Sequence, residues 1–238
     1  MNAAIDINAD LGEGFADDAR LLDLVTSASI SCGAHAGDRA TILATLQAAK
    51  TRGVPVGAHP GYPDREGFGR HELNLPAAQI ICLIIGQFKK LGEIASEVGV
   101  ALRFVKPHGA LYNQAQRDEV VAMSVINAMI ELGLPLLGQP GTVLERLAKE
   151  RGVPFISEGF PDRRYDSDGR LVPRSIPDAI LHDDAEMAAQ VVRFVQQGIS
   201  TLCVHGDDPD AVANAERVRR ILKNRRVEPR FWAWEEPA

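Results

Sequence analysis

The sequence predicts an α/β fold, a single closed or nearly closed (β/α) barrel, and three observations carry that reading. Short Val- and Ile-rich runs alternate with longer stretches of helical periodicity, the pattern of repeated βα units around a mainly parallel sheet. The chain has 238 residues, within the range of roughly 200–250 that such a barrel fills as one domain. No Pro- or Ser-rich linker, composition shift or internal repeat divides it, so residues 1–238 are read as one domain.

In chain order, strands are expected at 4–9, 29–32, 54–58, 102–106, 134–137, 153–157 and 201–204, with an eighth candidate at 230–234. Helices are expected between them at 16–25, 39–52, 76–98, 118–132, 142–151, 184–197 and 210–225. Local signals support these boundaries. Asp38 is placed to cap the second helix, where a carboxylate accepts from free first-turn amides. Pro76 suits a first-turn position, where its missing N–H costs nothing. Gly53, Gly99, Gly133, Gly152 and Gly198 fall where a helix ends in a left-handed turn. Residues 159–177 break the rhythm with Asp168-Gly169, Pro173 and Pro177. That stretch is long for a connection and is expected to fold over a site.

Composition then narrows the function classes. With 45% hydrophobic and 24% charged residues the chain can build a full core. Its 26 basic against 32 acidic residues give a formal charge of −6, which argues against nucleic acid or an anionic membrane surface as partner. The most apolar run, 80–85, is far short of the ~18–20 residues that span a bilayer. The first residues, Met1 to Asp6, have neither the basic nor the apolar region of a signal peptide, so a cytoplasmic location is expected. Cys32, Cys82 and Cys203 form no CxxC pair and are expected to be reduced, mostly buried thiols. Neither GxxxxGKS/T nor GxGxxG is present, so no phosphate-binding loop is expected.

In a parallel barrel the chemistry sits at the C-terminal ends of the strands, and polar residues cluster there repeatedly. The first strand runs into Asn8-Ala9-Asp10-Leu11-Gly12-Glu13-Gly14, the second into Cys32-Gly33-Ala34-His35-Ala36-Gly37-Asp38, and the third into His59-Pro60-Gly61-Tyr62-Pro63-Asp64. The fourth runs into Lys106-Pro107-His108-Gly109-Ala110-Leu111-Tyr112-Asn113, the sixth ends at Glu158, and the seventh runs into His205-Gly206-Asp207. One His at a strand end is often only scaffold, and Asp38 or Asp207 could be a plain helix cap. Four of the six His on one rim outweigh that reading.

Lys106 follows the apolar pair Phe104-Val105 and is the candidate for stabilising developing negative charge. Its bland alternative is a buried ion pair with Asp10 or Glu13. Asp10 is the candidate base for water, helped by His35 or His59, with His108 beside Lys106 on the rim. Asn8, Glu13, Asp38, Tyr112, Asn113, His205 and Asp207 are expected to contact substrate. Loss of Lys106 is expected to cost rate and not folding. A carboxylate with two His would make a divalent-metal site, but neither HExxH nor a tight HxH spacing occurs, and no metal ligand is assigned.

Together these motifs resemble the family of 5-oxoprolinase A subunits, also called LamB/YcsF, from Asp6 to about Leu222. Further matches are Gly67-Phe68-Gly69-Arg70, Asp168-Gly169-Arg170-Leu171-Val172-Pro173-Arg174 and Val204-His205-Gly206-Asp207. The sequence departs from the family's pattern at Ala34, where Phe is usual, and at Asp208, where Thr is common. The resemblance implies a distorted barrel of the glycoside hydrolase/deacetylase type, usually seven-stranded, so seven or, with the candidate at 230–234, eight mainly parallel strands are expected. It implies ATP-dependent opening of the small lactam 5-oxoproline to L-glutamate with separate B and C subunits. ATP would then be bound by one of these partners, and this chain would supply the hydrolytic half. Two alternatives stand beside it, a metal-dependent deacetylase or amidohydrolase on a small amide and a non-catalytic lactam-binding subunit.

Overall fold

Alternation along the first strand sets the architecture of the computed structural model, which describes residues 4–174 and 176–232. In β1 (Ala4–Leu11) the apolar residues Ile5, Ile7, Ala9 and Leu11 join the main hydrophobic core. The interleaved Asp6, Asn8 and Asp10 are buried too and bond to one another's neighbours inside the barrel. With a side-chain period of two, one strand thus faces a greasy helix layer on one side and a polar interior on the other.

Six more strands complete the ring: β2 (Ser27–Ser31), β3 (Val56–His59), β4 (Leu102–Val105), β5 (Leu136–Gly138), β6 (Phe155–Gly159) and β7 (Thr201–His205). Each pairs in parallel with its sequence neighbour, and β1 closes the barrel by pairing with both β2 and β7. The register sets Asp10 opposite Ser29 on one side and His205 on the other. Between the strands run α1 (Asp18–Leu22), α2 (Arg39–Arg52), α3 (Ala77–Val98), α4 (Gly109–Ala115), α5 (Glu119–Leu132), α6 (Val143–Arg151), α7 (Asp184–Gln196) and α8 (Ala211–Asn224). Their apolar faces cover the outside of the barrel, and that layer is the core.

Most expected elements lie within two residues of their predicted bounds. Asp38 caps α2 by accepting from the Thr41 amide at 2.8 Å, and Gly53, Gly99, Gly133 and Gly152 are left-handed C-caps. Three differences have physical causes. The eighth strand is not part of the barrel: β8 (Glu228–Pro229) pairs only with Ala4 and Ile5 at the start of β1, whose two edges farther on are already taken by β2 and β7. Of the predicted stretch, residues 233 and 234 lie outside the described residues. α1 is shorter than expected because β2 starts early, at Ser27, and Thr26 already bonds to Asp6. α4 was not expected, since its seven residues come just after Pro107-His108 and are too few to show helical periodicity.

The long stretch after β6 does fold across the strand ends. Antiparallel bridges join Arg163 to Ile180 and Tyr165 to Leu171, and the Gln190 amide of α7 donates to the carbonyls of Phe160, Pro161 and Arg163. Among the described residues no helix is long and apolar enough to cross a membrane.

Asp6 shows how the polar interior is held. Its carboxylate accepts from Thr26, Ser27 and Thr201 at 2.6, 2.8 and 2.5 Å, yet burial outweighs these bonds and pushes its pKa up to about 6. The folded state therefore holds this proton more tightly than the unfolded state. That contribution is complete below about pH 4 and is lost as pH rises through about 6. Asp6→Asn cannot ionise, so its stability relative to the parent should improve by about 2–3 kcal/mol between pH 4 and 7. Urea denaturation at both pH values measures this, and a difference independent of pH would contradict it.

Candidate active site

Lys106 directly follows β4, and its amide still donates to Ala58 of β3 at 2.9 Å, so the chain keeps its strand course there. Val105 joins the outer core and Lys106 turns inward. Its ammonium lies 2.9 and 3.2 Å from the two Asp10 oxygens, 2.8 Å from Glu158 Oε1, 3.3 Å from Asn8 Oδ1 and 3.0 Å from Cys203 Sγ. Asn8 in turn donates to Glu158 at 3.0 Å and to Thr201 at 2.8 Å.

Burial alone would push the Lys106 pKa down, but Asp10, Cys203 and Glu158 hold it well above the usual lysine value. Burial would likewise raise Asp10, yet His59, Lys106 and His205 hold it well below the usual carboxylate range. This corrects two expected roles. A carboxylate held so far down is a poor proton acceptor at neutral pH, so Asp10 acts as a fixed anion and hydrogen-bond acceptor. The Lys106 protons are already taken up by Asp10 and Glu158, so the ammonium is a buried ion-pair member before any oxyanion forms.

A second group of side chains lies beside this pair. His35 follows β2, His59 ends β3, His108 is the N-cap of α4, and Glu13 follows β1. His35 Nε2 is 3.0 Å from Glu13 Oε1, His108 Nδ1 is 3.5 Å from that oxygen, and His59 Nε2 is 3.9 Å from it. His59 Nε2 and His108 Nδ1 are 2.9 Å apart, and His59 Nε2 is 3.6 Å from Asp10. The backs of two rings are fixed by carbonyls: His59 Nδ1 donates to Lys106 O at 2.7 Å and His108 Nε2 to Phe68 O at 2.8 Å.

Burial sets the charge of this group. It pushes His35 and His108 down to about 4 and His59 well below its usual value, while it pushes Glu13 up to about 8. At neutral pH all three imidazoles are neutral. His35 and His108 are stacked with centroids 3.7 Å apart and planes 3° from parallel. Glycine makes that stack possible: a Cβ at Gly61 would lie 2.9 Å from His35 Nδ1, and one at Gly69 would lie 2.9 Å from both His35 Cβ and His108 Cδ2. Phe68, at φ 54, sets its ring edge-on to both imidazoles.

The rim is built by loops. His205 Nδ1 lies 3.2 Å from Asp162 and stacks on Phe160, while Asp207 is bound by Arg70 and, at 3.2 Å, by Arg174. Burial would raise Asp207, but Arg174, His205 and Arg70 hold it below its usual value. Tyr112 is buried against Phe160, and its hydroxyl has no partner among the described residues.

Of the predicted residues the structure thus gathers Asn8, Asp10, Glu13, His35, His59, Lys106 and His108, with Tyr112, His205 and Asp207 around them. It does not gather two. Asp38 is exposed and spends its carboxylate on the Thr41 amide, and Asn113 is exposed on α4. Sequence reasoning left out Glu158, Cys203, Asp162, Arg70 and Arg174. Glu158 carried the strand-end signal that marked the others; the two arginines stand in motifs quoted for the family resemblance, but nothing local shows that both reach Asp207 from their separate loops. Burial pushes Cys32 up to about 12 and Cys203 well above the usual thiol value, so neither thiol is a ready nucleophile. A cavity of about 320 Å³ adjoins the centre along Glu158, Gln139 and Tyr165, whereas a larger one of about 600 Å³ lies at the opposite end beside Asp6 and Trp232, away from the chemistry.

Parallel barrel, loop-covered rim and a buried centre of carboxylates, imidazoles and one ammonium at the strand ends define the class: a (β/α)-barrel protein with the equipment for polar bond hydrolysis. The model of the LamB/YcsF family matches residues 5–234, and the chain belongs to that family. It is 43% identical to a Pseudomonas syringae pv. tomato protein named as 5-oxoprolinase A-subunit 3, over 92% of this chain and 94% of that one. The crystal structure of a lactam utilization protein from Thermus thermophilus superposes with a TM-score of 0.88 at 37% identity, covering 96% of this chain and all of the other (100%). The catalytic domain of a peptidoglycan N-acetylglucosamine deacetylase from Eubacterium rectale shares the fold, with a TM-score of 0.56 at 13% identity, over 100% of this chain and 91% of that one.

The ion-pair geometry also changes the expectation for Lys106. Lys106→Met leaves Asp10 and Glu158 facing each other without a cation, and removing one partner of a buried charge group costs about 3–5 kcal/mol. Pairing it with Asp10→Asn should restore part of that loss. Urea denaturation of the single and double variants checks both statements, and a single-variant loss under about 1 kcal/mol would contradict the reading.

Proposed function

We propose that this chain is the A component of an ATP-dependent 5-oxoprolinase and supplies the hydrolytic half of the opening of 5-oxoproline to L-glutamate. The observation that carries this reading is the 43% identity, over 92% of the chain, to the Pseudomonas protein named as a 5-oxoprolinase A-subunit. The centre is suited to such a reaction. A lactam carbonyl is a weak electrophile, so its oxygen must be activated before water attacks, and transfer of a phosphoryl group to that oxygen does this at the expense of ATP. Water then adds to the carbon, the ring C–N bond breaks to give the acyl phosphate of glutamate, and a second water releases phosphate.

Within that scheme each group has a task that its environment permits. Lys106 keeps a positive charge fixed on Asp10 and Glu158 and so holds these two acceptors in place at the reacting centre. Asp10, always ionised, accepts a hydrogen bond from the attacking water and orients it. Arg70 and Arg174, both already on a carboxylate at the rim, hold the carboxylate of 5-oxoproline. The sequence carries no phosphate-binding loop motif, which favours ATP binding by a companion, and the B and C subunits that the family resemblance implies would complete the enzyme.

Mixing the chain with its B and C subunits, ATP and 5-oxoproline should release glutamate, and omission of any of these should abolish release. Glutamate release by the isolated chain without ATP would contradict the division of labour. In the complete complex Arg174→Gln should raise KM for 5-oxoproline roughly ten- to hundredfold with little change in kcat, the loss of one charge-assisted bond. An unchanged KM would remove Arg174 from substrate recognition.

A further inference from the structure

The imidazole cluster has a property that proton bookkeeping brings out. A carbonyl oxygen only accepts, so the contacts to Lys106 O and Phe68 O place the His59 proton on Nδ1 and the His108 proton on Nε2. The nitrogens left over, His59 Nε2 and His108 Nδ1, are lone pairs, and they face each other at 2.9 Å. Without a cation between or beside them this is a repulsive contact in a region from which water is excluded: His59 is 1% and His108 7% exposed. The Glu13 carboxylate and His35 Nε2 point to the same place.

We infer that Glu13, His35, His59 and His108 form a binding site for one divalent transition-metal ion of the zinc type. The four ligand atoms all lie within 4.8 Å of one another, with separations of 2.9, 3.0, 3.5 and 3.9 Å among them. Ligands about 2.0–2.1 Å from a tetrahedral zinc ion are spaced about 3.3 Å apart, inside that spread. Three imidazoles and one carboxylate are a donor set that suits zinc and its neighbours. The carbonyls behind His59 and His108 are the outer contacts that fix a metal-binding tautomer. A bound ion would supply Lewis acidity toward an amide oxygen or a water molecule.

Asp10, Cys203 and His205 also place ligand atoms within reach of one another. That group already has its cation, because the Lys106 ammonium sits on both Asp10 and Cys203. The positive charge is therefore missing only from the imidazole side. This inference does not depend on which amide the centre opens, and it is tested by binding alone.

The full-length chain, purified without chelator and equilibrated with zinc or cobalt, should retain about one ion per chain by elemental analysis and show the visible absorption of tetrahedral cobalt. His59→Gln with His108→Gln should weaken retention tenfold or more, while His71→Gln, which alters an exposed residue paired with Asp64, should leave it unchanged. A folded parent chain that retains no ion and gives no cobalt spectrum would overturn the site. So would full retention by the double variant. If the double variant fails to fold, the cobalt spectrum of the parent alone decides, since water-bound octahedral cobalt lacks the strong tetrahedral bands.

Discussion

One ammonium group organises the interior of this barrel. The alternating polar face of β1, with Asp6, Asn8 and Asp10, and the end of β6, with Glu158, bring carboxylates into a space that most parallel barrels fill with branched apolar side chains. Two carboxylates cannot remain ionised together there without compensation. Lys106 supplies it, at 2.9 Å from Asp10 and 2.8 Å from Glu158, and Asn8 links Glu158 to β7 through Thr201. The strand ends of β1, β4, β6 and β7 are thereby tied to one charge, which makes the pair a structural element as well as a reactive one.

Burial explains why the neighbouring imidazoles are neutral. Asp10, 3.6 Å from His59, favours its protonation, but burial, helped by His108 and Lys106, outweighs that carboxylate and keeps the ring unprotonated. The centre thus splits into a charged half around Lys106 and a half of uncharged nitrogen donors around Glu13. Loops finish it: Phe68, Phe160 and the Arg70 and Arg174 pair on Asp207 cover the strand ends and exclude water. Function in this fold follows from the side chains grafted at that rim and not from the barrel itself, which is shared with a deacetylase at 13% identity.

Much of this was legible in the chain. Helix ends were announced by caps such as Asp38 and left-handed glycines such as Gly53, and strand ends by Asn8 to Glu13, His35, His59, Lys106 and His108. What stayed hidden was tertiary. Strands of three to five residues are too short to tell which alternate face turns inward, so Lys106 was placed at a strand end but its partner Glu158 was left out of the site. The metal-capable cluster draws one ligand from each of four strand ends, so no HExxH-like spacing exists to reveal it. Asp38 misled because a helix cap and a rim carboxylate look alike in sequence. The approach of Arg70 and Arg174 to a common carboxylate depends on how two separate loops fold.

Burial keeps His59 and His108 neutral beside the charge that Lys106 carries, with their lone pairs aimed at one point. Proton–nitrogen correlation NMR of the imidazole rings, on the metal-free chain at neutral pH, tests it most directly. Each ring should be neutral, with the proton on Nδ1 of His59 and on Nε2 of His108. An imidazolium at either position, or the opposite tautomer at either, would contradict it.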